Sequence, residues 1–83
     1  MATLHLINKS PARSDALQAC LRMVANDDVI LLIEDGVYAA LAGTGTAALL
    51  KDIGSALSAD LAARGLQERL APGIGRVDHA GFV

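Results

Sequence analysis

Aromatic residues are nearly missing from this chain: no tryptophan, one tyrosine and one phenylalanine make up 2% of its 83 residues. A single cysteine, Cys20, excludes an intrachain disulfide and any metal site built from clustered thiolates. Basic charge is also thin, with seven Lys and Arg against nine Asp and Glu, a net charge of −2 and a pI near 5.4. No two basic residues adjoin. A surface that tracks phosphates needs clustered Lys or Arg, so direct nucleic-acid binding is not expected. The longest unbroken apolar run, Val37 to Ala42, falls far short of the ~20 residues that a membrane span needs. The start, Met1-Ala2-Thr3-Leu4-His5, has no basic segment before an apolar one, so no secretory signal is expected. Together these absences point to a cytoplasmic protein.

Small aliphatics take the place of the missing aromatics. The chain carries 16 alanines and 13 leucines, so its core has to be Leu, Ile and Val packed over small residues. With glycine counted and tyrosine left out, 51 of 83 residues are apolar, well above the roughly 45–50% of ordinary domains. That excludes intrinsic disorder. The length fits one domain spanning residues 1–83, and a domain of this size buries a low fraction of its surface. The apolar excess therefore points to a partner subunit.

Along the chain, Thr3 to Ile7 reads as a first strand closed by the turn cluster Asn8-Lys9-Ser10-Pro11. Ser14-Asp15 offers an N-cap, and Leu17, Cys20, Leu21 and Val24 follow at helical spacing. Val29 to Ile33 is five aliphatics in a row, the pattern of a parallel strand buried on both faces. Three alanines within Val37 to Ala42 favour a short helix. Thr46 then offers a cap for a helical turn through Leu49, Leu50 and Ile53. Gly54 to Leu57 is a third strand, and Ser58 caps a helix over Ala59 to Arg64 with Gly65 just beyond its end. After the Pro72-Gly73 turn, Ile74 to Val77 is a last strand. The order β-α-β-α-α-β-α-β predicts an α/β domain whose mostly parallel sheet lies between helices.

Few residues in this pattern carry chemistry. Gly43-Thr44-Gly45-Thr46-Ala47-Ala48 fits G-x-G-x-x-A, but the segment before it reads as helix and Asp60 follows Gly43 by 17 positions. A dinucleotide fingerprint needs a preceding strand and an acid ~20 positions on, so a loop with a helix cap is the better reading. Cys20 is the one evident nucleophile, yet its helical neighbours Ala16, Leu17, Met23 and Val24 are all uncharged. Apolar surroundings raise a thiol pKa and favour a buried, inert cysteine. His5 and His79 lack ligands at metal spacing. Ser10 has no evident base partner. Glu34-Asp35-Gly36 stands at the carboxyl end of a predicted strand, where α/β sheets place ligands. It reads equally well as a turn whose glycine takes a positive φ.

Four collinear blocks stand out: Leu4-His5-Leu6-Ile7-Asn8-Lys9-Ser10-Pro11, the aliphatic strand ending in Glu34-Asp35-Gly36-Val37 with Ala39-Ala40, Asp60-Leu61 with Ala63-Arg64-Gly65-Leu66, and Asp78 with Phe82-Val83. Together they resemble the TusB/DsrH family of sulfur-relay subunits. The resemblance implies a small three-layer DsrE-like, flavodoxin-like fold. It also implies assembly with TusC/DsrF-type and TusD/DsrE-type subunits into a heterohexamer, a dimer of heterotrimers, which passes persulfide sulfur to a carrier protein. That sulfur ends in 2-thiouridine at the tRNA wobble position in one branch and feeds dissimilatory sulfur oxidation in the other. The principal sulfur-carrying cysteine belongs to the TusD/DsrE-type subunit, so this chain would be largely architectural, with no cofactor of its own. DsrH-type members tend to carry a cysteine at the position of Cys20 and some TusB-type members lack one, so its presence tilts toward a DsrH-type subunit and makes it the candidate persulfide carrier here. The family usually continues into a further helix after the Phe-Val block, whereas this sequence stops at Val83. A different class of reading also fits the residues: a homo-oligomeric α/β module that binds a small molecule through Glu34, Asp35, Gly36 and the Gly43 to Gly45 loop. In isolation the chain is expected to self-associate.

Overall fold

The fold is described from a computed structural model, for residues 3–25 and 27–78. Four short strands, β1 (Leu4–Ile7), β2 (Val29–Leu32), β3 (Gly54–Leu57) and β4 (Gly75–Val77), form one sheet in the order β1-β2-β3-β4. All three neighbouring pairs are parallel. Three six-residue helices connect them: α1 (Ala16–Leu21), α2 (Gly45–Leu50) and α3 (Ser58–Ala63). The expected parallel α/β architecture is thus present.

The register divides the strand residues into two faces. Residues paired across a parallel ladder point the same way, and neighbours along a strand point opposite ways. His5, Ile7, Ile30, Leu32, Gly54, Ala56 and Arg76 therefore share the inner face. Leu4, Leu6, Val29, Leu31, Ser55, Leu57, Gly75 and Val77 share the outer one. The hydrophobic core joins Ile7, Ile30, Leu32 and Ala56 to Leu17 of α1, Leu50 of α2 and Leu61 of α3. All three helices thus lie on the inner face. Right-handed crossovers between strands taken in sequential order require the same result, because each crossover returns on the same side of the sheet. On the outer face Leu31 and Leu57 are buried as well, whereas Leu4, Leu6 and Val29 towards the β1 edge are exposed.

Local chemistry explains where the elements depart from the sequence reading. The segment expected to be a short helix over Val37 to Ala42 is a 3-10 helix that starts earlier, at Glu34, and ends at Ala40. Its buried positions, Gly36, Val37, Ala39 and Ala40, are small enough for this tighter turn to lie close against the sheet. Thr44, rather than Thr46, caps α2, accepting a hydrogen bond from the Ala47 N–H at 3.2 Å. The Thr46 hydroxyl instead donates to the Ala39 carbonyl at 2.8 Å and ties α2 to the 3-10 segment. Ser58 is already inside α3, whose N-cap is Leu57 with no side-chain cap. Gly65 takes the left-handed conformation (φ 66°) predicted for the residue after that helix. Beyond it, Gln67–Arg69 forms a 3-10 turn that has no hydrophobic period to announce it. Ala42 and Ala71 then donate backbone hydrogen bonds to the Arg69 and Ala40 carbonyls, joining the two 3-10 segments through the antiparallel bridge Leu41–Leu70.

Candidate functional site

Two polar clusters flank the sheet, one at each end of its strands. At the carboxyl end, Glu34-Asp35-Gly36 follows β2 as the sequence suggests. Asp60 and Arg64, from α3 and its end, meet it there. The Asp60 carboxylate accepts the Glu34 N–H at 2.7 Å. Arg64 donates from Nε at 3.1 Å to Asp35 Oδ1, with Nη2 at 3.0 Å from the same oxygen, and from Nη1 at 3.2 Å to the Asp60 carbonyl. One guanidinium thus bridges the loop after β2 and the first turns of α3. Two blocks that looked separate in sequence, Glu34 to Val37 and Asp60 to Leu66, form a single joint.

The conformation of this joint corrects the turn predicted for it. The positive φ falls on Glu34 (48°), not on Gly36. Left-handed backbone is costly for a residue with a side chain, and the Asp60 carboxylate holds Glu34 there by accepting its N–H. Gly36 is required for a different reason: a Cβ at this position would overlap the Ile7 carbonyl at the end of β1. The glycine lets the 3-10 segment cross closely over the end of β1.

At the amino end, Asp28 is buried just before β2 and gathers three donors. Its Oδ1 accepts the Thr3 N–H at 2.9 Å, and its Oδ2 accepts the Ala25 N–H at 3.0 Å and lies 3.0 Å from His5 Nε2. The side-chain hydrogen bond with His5 is the largest cause, and those from Ala25 and Thr3 add to it, in lowering the Asp28 pKa to about 2 against the opposing effect of burial. From sequence, Asp28 reads only as part of the Asn26-Asp27-Asp28 stop that ends the first helix. The available signal was an acidic pair, Asp27-Asp28, set directly before an aliphatic strand, where one acid has to turn inward to satisfy strand-end N–H groups.

Cys20 lies at this amino end of the molecule. It is half-buried on α1, packed against the core beside Leu21 and Val24. Burial first, and then the negative charge of Asp28, raise its pKa above the ordinary thiol value. The fold does not bring Cys20 together with Glu34, Asp35 and Gly36: a four-residue strand, about 13 Å long, separates the two ends. No group of three or more His, Cys, Asp or Glu among the described residues is arranged to hold a metal ion. The G-x-G-x-x-A stretch forms a loop and helix cap, with φ at Gly43 of 86° and Thr44 at the cap. His79, Phe82 and Val83 lie outside the described residues. No helix among the described residues is long and apolar enough to cross a membrane.

The most informative comparisons run along nearly the entire chain. Proteins named TusB from Klebsiella pneumoniae and Sodalis glossinidius are each 37% identical over 83 residues, covering 96% of this chain and 86% of the relative. The protein named TusB from Erwinia tasmaniensis is 42% identical over the same span and coverage. The profile of the family described as DsrH like protein matches residues 9–83. That span takes in both the Glu34–Arg64 joint and the helix that carries Cys20, and the chain belongs to this DsrH-like family.

Proposed function

We propose that this chain is a subunit of a cytoplasmic sulfur-relay complex that serves 2-thiolation of the tRNA wobble uridine, and that its part there is architectural. The observation that carries the proposal is the similarity to proteins named TusB over 96% of the chain. TusB is the tRNA-thiolation type within the resemblance, which favours that branch over sulfur oxidation. Its partners would be TusC/DsrF-type and TusD/DsrE-type subunits in a heterohexamer, with a sulfur-carrier protein as the next station.

An architectural part agrees with the chemistry of Cys20. Receiving sulfur requires thiolate attack on the outer sulfur of a donor persulfide, with the donor thiolate leaving. A thiol whose pKa is raised by burial and by Asp28 holds little thiolate at neutral pH. This disfavours Cys20 as a sulfur acceptor, and by the family resemblance the principal relay cysteine would sit on a partner. The carboxyl-end cluster is also internally engaged, since Arg64 is directed at Asp35 and Asp60. This supports a joint that sets the shape of the subunit more than a small-molecule site.

Co-expression with the two partner subunits tests the proposal through native particle mass. A stable mixed assembly is expected, and a homo-oligomer that ignores both partners would overturn it. Complementation tests the branch: in a strain lacking its own TusB, this chain with its partners should restore 2-thiouridine. Assembly without restored thiolation would contradict the tRNA role.

A further inference from the structure

We draw no further inference here: the strongest candidate, the exposed apolar patch of Leu4, Leu6 and Val29 on the outer face of the sheet beside the open edge of β1, is an unpartnered face, and nothing in the structure shows what covers it.

Discussion

The two faces of the sheet use the same four strands and both carry aliphatic residues, yet on the β1 side they stand in different environments. On the inner face Ile30 and Leu32 are fully buried beneath three helices. On the outer face Leu31 and Leu57 are also buried, but Leu4, Leu6 and Val29 are exposed at 52%, 49% and 44%. The difference shows that a strand residue's place in the sheet, by face and by distance from the β1 edge, decides its burial before residue type does. Every right-handed crossover delivers its helix to the same side, so side chains of equal hydrophobicity contribute unequally to the stability of the isolated chain. The apolar excess of the composition is thus located: part of it is the outer face at its β1–β2 edge.

Substitutions on the two faces should separate them sharply. Leu32→Ala removes a fully buried side chain from the helix-covered face and is expected to cost about 2–5 kcal/mol, read by urea denaturation. Gly36→Ala comes next. Its methyl would overlap the Ile7 carbonyl and push the 3-10 segment off the end of β1, for a loss on the order of 1–3 kcal/mol. Gly65→Ala, which meets no atom within 4 Å and carries only the conformational penalty of φ 66°, should cost less than Gly36→Ala. Equal losses would remove the close-approach explanation.

The two polar clusters come next in size. Asp28→Asn should lower the thermal midpoint, because it breaks the anchor that joins Thr3, His5 and Ala25. The pH dependence has a definite sign. The folded Asp28 pKa of about 2 lies below the ordinary value of 3.8. The contribution of this carboxylate is therefore fully present above the ordinary value and is lost as the pH falls through the folded one. A stability–pH profile of Asp28→Asn should be flatter than that of the parent over that acid window. The same variant removes the charge that raises the Cys20 pKa, so iodoacetamide should alkylate Cys20 faster at a fixed neutral pH. An unchanged alkylation rate would contradict the electrostatic coupling across the amino end. Arg64→Ala opens the joint between β2 and α3. Because Asp35 is largely exposed, the loss should be only about 0.5–1 kcal/mol and should shrink with added salt. Smallest of all, Leu6→Gln on the outer face should change the stability of the isolated chain by no more than about 0.5 kcal/mol. A loss as large as that of Leu32→Ala would show that the two faces are equally covered.

Much of this architecture could be read from the residues themselves. The unbroken run Val29 to Ile33 announces a parallel strand buried on both faces, and Ile30 and Leu32 on the inner face and Leu31 on the outer are buried. Gly54 to Leu57 coincides with β3, and Gly65 closes α3 as its position after Arg64 suggests. The cap of α2 was harder to place, because Thr44 and Thr46 offer the same hydroxyl and only the path of the 3-10 segment decides between them. The positive φ at Glu34 was hidden for a similar reason. It depends on an acceptor 26 residues away, Asp60, and no local pattern encodes such a partner. Asp28 was missed because its three donors come from the start of β1 and the turn after α1, which meet only when β1 and β2 pair. Glu34, Asp35 and Gly36 were correctly placed at a strand end. Their partner Arg64 looked like an ordinary charge at the end of a helix until the fold brought it across.

The central claim is that this chain shapes a sulfur-relay assembly without carrying the sulfur itself. The most direct measurement is 2-thiouridine content in tRNA from cells in which the co-expressed partners are paired with either the parent chain or Cys20→Ser. The account predicts equal thiolation and the same native particle mass for both. Loss of thiolation with Cys20→Ser in an intact assembly would contradict it and would make Cys20 a station on the sulfur path.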